Sequence, residues 1–312
     1  MSLRSIVTAL GGDLYQNGAR ANVPAPGHGA GDRSVSLMLS EARVVVHSFG
    51  AADWREVRDD LCRRGLVDSD GRLTGSGGLS GAGASTPRRC ALERRAVAQA
   101  LWAHGIQPGE DGVVVRHLRS RAVSWSAALC DLREHPRAPL SVYGPSGRTG
   151  RALMAGVRDP HGALTAVELT HLTPNGRVAT GLRAPRKTVG QVPGGSAVRL
   201  CPAAARMVVA EGVITTLSAM ARFERPGWAL MAAGNLARWR PPSNVNDILI
   251  AADRDEVGER AARALEAGLR ARGLVVDVAF PPAPFGDWNE AAQAEARGRR
   301  EEGRVSAPDR RG

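Results

Sequence analysis

Apolar positions in the last third of the chain fall into two alternating patterns. Short apolar runs, which are typical of buried strands, occur at residues 207–210, 228–233, 247–252 and 274–280. Between these runs, residues 213–223 and 257–272 predict helices, and in the second helix Ala261, Leu265 and Leu269 share one face. Strands that alternate with helices form a mostly parallel sheet covered on both faces. The pattern therefore predicts an α/β domain in this region.

The patterns before residue 201 predict smaller, mixed structures. Residues 1–72 combine short apolar runs with a helical stretch, and residues 90–200 open with a helix followed by alternating, strand-like segments. Between them, residues 74–89 read TGSGGLSGAGASTPRR, a Gly- and Ser-rich composition that predicts a flexible linker. The last residues, 296–312, are charged and interrupted by Gly and Pro, so we expect a disordered tail.

The charge balance adds a candidate partner to this picture. The 312 residues include 42 Lys or Arg against 31 Asp or Glu, and the net charge of +11 favours a polyanionic partner such as nucleic acid. The one lysine is Lys187. The 4 cysteines stand far apart with no CxxC pair, and no run of about 18 apolar residues occurs. We therefore expect a cytoplasmic protein without a disulfide framework, a cysteine zinc site or a membrane span.

Three acidic residues follow predicted strands of the α/β region. Glu211 follows the first strand, and Asp253 and Asp255 follow the third. In sheets of this type ligands bind beyond the carboxyl ends of the strands, so we expect these carboxylates to share one crevice. Hard oxygen ligands suit Mg²⁺ or Mn²⁺, which polarise phosphates in phosphoryl and nucleotidyl transfer. The alternative for an Asp-x-Asp pair after a strand is that it only caps the next helix.

Three motifs together resemble a Toprim domain, the metal-binding fold shared by bacterial primases and topoisomerases. They read VVAEGVITTLSA, ILIAADRDEVGERAARAL and FPPAPFGDWNE. The chain is similar in particular to primase–helicase-related Toprim proteins of phages, plasmids and other mobile elements, which end this domain with a Pro-Pro loop and an Asp-Trp-Asn motif. The resemblance implies that Glu211, Asp253 and Asp255 are catalytic and bind Mg²⁺, and that Asp287 and Asn289 contribute to nucleotide or template binding.

The preceding segment resembles the basic subdomain of the same primases. It contains AGVRDPHGALTAVELTHLTPNG and, further on, APRKTVGQVPGGSAVRL. In these primases a Lys or Arg before a turn contacts the template or the incoming triphosphate, and Arg186 and Lys187 occupy that position. The resemblance therefore implies that both residues bind nucleotide or template. A solvated surface charge is the alternative for Arg186.

The first 72 residues resemble the zinc ribbon at the N-terminus of primases. That ribbon runs Cys-x-x-His and later Cys-x-x-Cys. Here Ala25 stands in place of the first cysteine, His28 keeps the second ligand position, and Ser48 and Ala51 replace the last pair. One ligand cannot hold a tetrahedral zinc ion, so the resemblance implies a degenerate ribbon without a zinc cofactor.

The patterns and the resemblance together give the predicted organisation. The fold class is α/β, with a Rossmann-like Toprim domain of mostly parallel strands and helices on both faces, preceded by a basic α+β subdomain and a small β-rich domain. The predicted boundaries are 1–72 for the degenerate zinc-ribbon-like domain, 73–89 for the flexible linker, 90–200 for the basic primase-core subdomain, 201–295 for the Toprim domain and 296–312 for the disordered tail.

The resemblance implies a primase-like nucleotidyltransferase that makes short primers on single-stranded DNA from nucleoside triphosphates. The nearest sequence to a P-loop, GPSGRTG at residues 144–150, lacks the P-loop lysine, so a replicative helicase would be a separate partner. A topoisomerase is disfavoured because neither Tyr15 nor Tyr143 lies in a suitable context. Two alternatives stay open. One is an accessory protein that binds single-stranded DNA without catalysis, and the other is a metal-dependent nuclease that uses the same carboxylates.

Overall fold

The chain divides into two compact units, residues 1–86 and 87–312. No helix among the residues given below is long and apolar enough to cross a membrane. The structure, a computed structural model, describes residues 2–29, 31–40, 43–48, 53–74, 87–142, 147–182, 184–236 and 238–305.

An antiparallel sheet of four strands, in the order β1-β2-β3-β4, and two helices make up the N-terminal unit. Its elements are α1 (Leu3–Leu10), β1 (Asp13–Tyr15), β2 (Arg20–Val23), β3 (Val35–Ser40), β4 (Arg43–Ser48) and α2 (Trp54–Arg63). Leu3 and Ile6 of α1 are buried with Leu37 of β3 and Leu61 of α2. This shared core holds both helices against the sheet.

The positions compared with zinc ligands have other contacts in the N-terminal unit. Ala25 is part of the core, and its amide donates to Asp32 Oδ2 over 2.9 Å. His28 Nδ1 lies 3.1 Å from the same oxygen. The hydrogen bond from Ala25, those from Ser34 and, least, the charge of His28 lower the pKa of Asp32 to about 2. Ser48 ends β4, and Ala51 lies outside the described residues. The zinc-ribbon resemblance stays a prediction.

Residues 87–200 form a second antiparallel sheet, in the order β5-β6-β7-β8, with helices on both faces. Its elements are α3 (Pro87–Ala103), α4 (Val113–Ser120), β5 (Leu132–Pro139), β6 (Thr149–Arg158), β7 (Leu164–His171) and β8 (Arg186–Gly190). On one face, Leu101 of α3 is buried with Met154 of β6. On the other face, Leu118 of α4 is buried with Leu132 and Leu153.

The predicted linker over residues 73–89 is wrong at both ends. Leu73 is 5% exposed and belongs to the core of the N-terminal unit, because its apolar side chain packs beside Val67. The Thr74 hydroxyl donates to the Gly65 carbonyl oxygen over 2.5 Å. At the other end α3 begins at Pro87, since proline is favoured at the first position of a helix. Residues 75–86 lie outside the described residues.

A five-stranded sheet and its helices form the rest of the C-terminal unit. Its elements are β9 (Val198–Arg199), β10 (Arg206–Ala210), α5 (Val213–Phe223), β11 (Gly227–Ala229), α6 (Ala233–Leu236), β12 (Asp247–Ala251), α7 (Glu256–Arg270), β13 (Val275–Ala279) and α8 (Trp288–Val305). The strand order is β13-β12-β10-β11-β9, and only β9, paired with β11, is antiparallel among these strands.

Helices cover both faces of this sheet. Leu265 and Leu269 of α7 are buried with Ile248 of β12 on one face. Trp288 of α8 is buried with Leu249 of the same strand on the other face. The predicted α/β fold class, with a mostly parallel sheet in the C-terminal domain, is confirmed.

The predicted disordered tail is wrong for its first ten residues. Helix α8 continues from Trp288 to Val305, and residues 306–312 lie outside the described residues. Acidic and basic residues at helical spacing support this exposed helix, and Arg299 lies 3.9 Å from Glu295 one turn earlier. High charge therefore indicates a solvated helix here rather than disorder.

Candidate active site

Neighbouring parallel strands bring the predicted acidic residues to one edge of the sheet. Strand β10 pairs with β12 so that Val209 is opposite Ile250. Glu211 and Asp253 therefore follow adjacent strand ends, and both side chains are half-buried. Asp255 is exposed and lies at the start of α7. The carboxyl edge of the sheet thus carries the acidic residues that the sequence predicts there.

Asp253 carries the strongest electrostatic perturbation among these acids. The pKa of Asp253 is raised to about 7, mainly by burial and then by the carboxylates of Glu211, Asp287, Asp255 and Glu290, in that order. Its Oδ1 atom is buried and has no hydrogen-bond partner in the described part of the chain. A buried carboxylate surrounded by like charges lacks the positive charge that a bound cation supplies.

Glu211 shares this environment. Burial raises the pKa of Glu211, and the nearby Asp255 carboxylate adds to the rise, whereas a hydrogen bond from the Ala233 amide opposes it. A carboxylate whose pKa is moved toward neutrality is suited to proton transfer. Glu211 and Asp253 therefore belong to one acidic cluster, and the pKa of each is raised.

Asp255 and Asp287 both cap helices. The Asp255 carboxylate accepts a 2.7 Å hydrogen bond from the Gly258 amide at the start of α7. Asp287 accepts a 2.7 Å hydrogen bond from the Glu290 amide at the start of α8. The helix-capping alternative for the Asp-x-Asp pair is therefore present for Asp255, and each cap leaves one carboxylate oxygen for other contacts.

Gly258 allows α7 to begin close to Asp253. A Cβ atom at this position would lie 2.8 Å from the Asp253 carbonyl oxygen and 3.2 Å from the Asp253 Cβ. Any larger residue would push the first turn of α7 away from the acidic edge. The glycine thus fixes the distance between the helix and the carboxylates.

The acidic side chains approach one another without forming a closed metal site. Within the described ranges, no group of three or more His, Cys, Asp or Glu side chains is arranged to hold a metal ion. The donors are nonetheless hard carboxylate oxygens, and the unpartnered Asp253 Oδ1 is among them. This donor set fits Mg²⁺ or Mn²⁺, which prefer oxygen ligands and keep several waters.

A cleft of about 180 Å³ lies between the acidic edge and the sheet of residues 132–190. Glu211 and Asp287 line one wall of it. The facing wall is lined by polar side chains of α4, its C-terminal end, β7 and β8, namely His117, Arg121, Glu168, Thr170 and Arg186. We call this facing set the polar wall.

Positive charge dominates the polar wall. Burial lowers the pKa of His117, and Arg121 and Arg186 lower it further, while a hydrogen bond to the Gly176 carbonyl oxygen opposes the change. The Arg121 Nε atom is buried without a hydrogen-bond partner among the described residues. An unpartnered guanidinium nitrogen beside a second arginine is suited to an anionic ligand such as phosphate.

The first turn of α5 adds backbone donors to the cleft. Gly212, Val213, Ile214 and Thr215 all line it. Amide groups in the first turn of a helix have no carbonyl partner within that helix, and the helix dipole favours negative charge there. The same cleft therefore combines arginines with a helix N-terminus, which is a recurring arrangement for phosphate groups.

The structure brings Arg186 into the cleft but places Lys187 elsewhere. Arg186 pairs with Thr170 across β7 and β8, and both line the cleft, whereas Lys187 pairs with Leu169 on the opposite face. There, Lys187 Nζ donates to the Leu140 carbonyl oxygen over 2.6 Å, and burial lowers its pKa. Alternate residues of a strand point to opposite faces, so two consecutive residues cannot both line one cleft. The prediction that groups Lys187 with Arg186 is wrong in this respect.

Asn289 has a structural position rather than a ligand-facing one. It is fully buried, and its amide nitrogen donates to the Arg121 carbonyl oxygen over 2.6 Å and to Ser218 Oγ over 2.9 Å. Its amide oxygen accepts from Gln293. The prediction that Asn289 binds nucleotide or template is therefore wrong, because its amide nitrogen joins α8 to α5 and to the end of α4, and its amide oxygen is bonded within α8.

Four residues of the polar wall are absent from the sequence prediction, namely His117, Arg121, Glu168 and Thr170. His117 and Arg121 are four residues apart around the end of α4, next to the buried Val113, Val114 and Leu118. That spacing of polar residues along an apolar helix is a signal for one shared face. Glu168 is a lone acid within the otherwise apolar or uncharged strand β7, which is a second detectable signal.

Two family models match consecutive parts of the chain. One is described as a Toprim domain and matches residues 206–298, and the other is described as a domain of unknown function (DUF7146) and matches residues 92–200. The first match contains the acidic residues of the cleft, and the second contains the polar wall. No curated protein matches the sequence.

Three primases are among the solved structures with a similar backbone. The primase fragment of the bacteriophage T7 primase-helicase protein is 18% identical, covers 61% of this chain and 69% of its own, and has a TM-score of 0.36. The zinc-binding and RNA polymerase domains of the Aquifex aeolicus primase are 14% identical, cover 96% of this chain and 82% of their own, and have a TM-score of 0.40. The DnaG primase catalytic domain bound to single-stranded DNA is 19% identical, covers 70% of this chain and 75% of its own, and has a TM-score of 0.36. At these identities and TM-scores the similarity carries no conclusion about activity.

Proposed function

Since residues 206–298 are a Toprim domain, we propose that they form, with residues 92–200, the catalytic core of a primase-like nucleotidyltransferase. The cleft is the observation that carries this proposal, because carboxylates lie on one wall and His117, Arg121 and Arg186 on the other. Such a cleft suits a nucleoside triphosphate with its divalent cation. The 3′-hydroxyl of a primer attacks the α-phosphate, a new phosphodiester bond forms, and pyrophosphate leaves.

Magnesium fits the carboxylates at the acidic edge of the sheet. Glu211, Asp253 and Asp255 would hold Mg²⁺ or Mn²⁺, and the support for this is the unpartnered Asp253 Oδ1 together with the raised pKa of that carboxyl group. When bound, the ion polarises the phosphate and screens its charge. Asp287, whose charge also reaches Asp253, supports this acidic wall from the start of α8.

The other parts of the reaction fall to groups of the chain itself. Arg121, Arg186 and the first turn of α5 bind the triphosphate and hold its α-phosphate toward the acidic wall. Glu211, beside the site of the ion, would accept the proton of the attacking 3′-hydroxyl, since it lines the cleft at the carboxyl edge of the sheet.

Single-stranded DNA is the proposed template, and nucleoside triphosphates are the proposed substrates. The net charge of +11 favours a polyanionic template. A replicative helicase that opens duplex DNA is a further proposed partner.

Primer synthesis by the purified chain tests the proposal. The assay combines single-stranded DNA, labelled nucleoside triphosphates and Mg²⁺, and compares wild type with Asp253→Asn and with the control Asp277→Asn. Asp277 is an exposed acid on β13, so its loss leaves the cleft intact. We expect labelled oligonucleotides from wild type and the control, and a loss of about 100-fold or more in Asp253→Asn. No product from wild type, or equal product from Asp253→Asn, contradicts the proposal.

A second candidate function is single-strand binding without catalysis. One observation favours it: one oxygen of the Asp255 carboxylate already accepts a hydrogen bond as the cap of α7. This candidate predicts salt-sensitive binding of single-stranded DNA with no Mg²⁺-dependent synthesis. The alternative of a metal-dependent nuclease predicts instead that Mg²⁺ supports nicking of a supercoiled plasmid, so assays on the same protein preparation separate all three functions.

A further inference from the structure

Glu168 is an acidic residue on an otherwise basic wall. It lies in the middle of β7, opposite Ala155 of β6 and Thr188 of β8. Ala155 also lines the cleft, and its small side chain leaves room in front of the Glu168 carboxylate. Glu168 is thus a recessed acceptor that faces the space where a ligand binds.

No donor of the described residues satisfies this carboxylate. Among the described residues its carboxylate interacts electrostatically with Arg186, but no hydrogen bond or ion pair joins the two side chains. Burial raises the pKa of Glu168, and Arg186 opposes that rise. A recessed carboxylate without hydrogen-bond donors is costly, so a ligand that brings donors gains affinity from it.

The chemistry of the cleft decides which part of a nucleotide reaches Glu168. A carboxylate repels phosphate, and the arginines and the first turn of α5 are the groups that suit the triphosphate. The cleft measures about 180 Å³, below the roughly 300 Å³ at which pockets begin to enclose whole small-molecule ligands. A cleft of this size suits the triphosphate and sugar of a nucleotide better than a whole nucleotide, which leaves the base outside it.

We propose that Glu168 accepts a hydrogen bond from the ribose 2′-hydroxyl of the incoming nucleotide and so makes the cleft prefer ribonucleotides to deoxyribonucleotides. The inference rests on the proposed function and adds the sugar specificity of the same site. Carboxylates recognise ribose hydroxyls in other nucleotide sites by the same chemistry. A site built around a hydroxyl rejects the analogue that lacks it, because the acceptor is then left unpaired.

Binding of ATP and dATP to the full-length chain, measured by titration calorimetry with Mg²⁺ and without template, tests this inference. We expect wild type to bind ATP about 10-fold or more tightly than dATP. In Glu168→Ala the two affinities should agree to within about twofold, because the acceptor is gone. Glu168→Gln keeps an amide oxygen in the same place and should retain part of the preference.

Two comparison variants separate sugar recognition from a structural role. Arg186→Ala should weaken ATP and dATP binding alike, because both carry the same triphosphate. Asp277→Asn, at an exposed acid away from the cleft, should keep the wild-type preference. If Glu168 only balances the charge of Arg186, its variants will lower both affinities together and leave their ratio unchanged.

The outcomes also separate this inference from the proposed function. Equal binding of ATP and dATP by wild type, or an unchanged ratio in both Glu168 variants, overturns the role of Glu168 and leaves nucleotidyl transfer standing. Failure of wild type to bind either nucleotide overturns the proposed function and the inference together. Glu168→Gln preserves the size of the side chain, so the test does not depend on Glu168→Ala folding.

Discussion

At the scale of single residues, the pKa of Asp253 depends on several other carboxylates of the site. Its chemistry does not come from its own sequence neighbours alone, since Glu211, Asp287 and Glu290 all raise its pKa. These residues follow β10 and precede or begin α8, far from Asp253 in the chain. The metal affinity proposed for the site is therefore a property of their proximity.

The raised pKa of Asp253 predicts a pH-dependent cost to folding. The pKa is about 7 in the folded chain against 3.8 for an unperturbed Asp, so the folded state binds more protons between those values and loses stability as the pH rises from about 4 to 7. Without divalent ions, Asp253→Asn should therefore melt above wild type at pH 8, by about 2–4 °C, and close to wild type at pH 4.

Thermal unfolding in EDTA and in Mg²⁺ measures this effect. Magnesium at pH 8 should raise the melting temperature of wild type and have much less effect on Asp253→Asn, because the carboxylate that the ion neutralises is absent. The control Asp277→Asn should respond to Mg²⁺ like wild type. Equal responses in wild type and Asp253→Asn would show that this carboxylate takes no part in ion binding.

At the scale of secondary-structure elements, the start of α7 sets the geometry of the acidic edge. Asp255 caps the helix, and Gly258 lets the first turn approach Asp253. Helix α8 is fixed in a different way, through the buried Asn289, which joins it to Ser218 of α5 and to Arg121. The two helices next to the acidic edge are thus fixed by different contacts, α7 by its cap and the close approach of Gly258, and α8 by a buried amide.

Substitution of Gly258 tests the role of this close approach. Gly258→Ala should destabilise the chain by about 1–3 kcal/mol, because the new Cβ atom would lie 2.8 Å from the Asp253 carbonyl oxygen. Gly268→Ala is the matched control on the same helix, since nothing lies within 4 Å of its added Cβ, and it should stabilise the chain by up to about 1 kcal/mol. Urea unfolding measures both changes, and equal effects would contradict the steric explanation.

At the scale of the whole molecule, the resemblance to a Toprim domain is confirmed by the family match over residues 206–298. The cleft uses this domain together with the preceding segment, which matches a domain of unknown function. Glu211 and Asp287 of the cleft lie in the first segment, and Arg121 and Arg186 lie in the second. The proposed activity therefore requires both parts of the C-terminal unit.

The charge of the whole chain predicts how it binds single-stranded DNA. Each Lys or Arg that neutralises a phosphate releases counterions, so affinity should fall steeply as salt rises. In a filter-binding series from 50 to 200 mM salt, Arg186→Ala should reduce the log–log slope by about 1. Arg260→Ala, at an exposed α7 residue paired with Glu256, should leave the slope unchanged. If Arg186→Ala does not alter the slope, this residue does not contact the phosphates of the single-stranded DNA.

The sequence by itself determined the α/β class and the acidic residues that follow β10 and β12. Apolar runs and helical periodicity depend on local order in the chain, and the carboxyl ends of parallel strands must meet at one edge. Local signals also misled: high charge at residues 296–305 suggested disorder, although the segment is helical. Adjacent basic residues suggested one site, although strand alternation separates Arg186 from Lys187.

Only the tertiary structure decided which distant residues complete the cleft. His117, Arg121 and Glu168 come from a helix and a strand that precede the acidic residues by some forty residues or more, and packing of the two sheets places them opposite Glu211. The same packing buries Asn289, which its motif had marked as a ligand-binding residue. Burial and charge at a site depend on neighbours in space. For that reason the pattern along the chain predicts the helices and strands, but it does not predict which residues form the polar wall opposite the acidic edge.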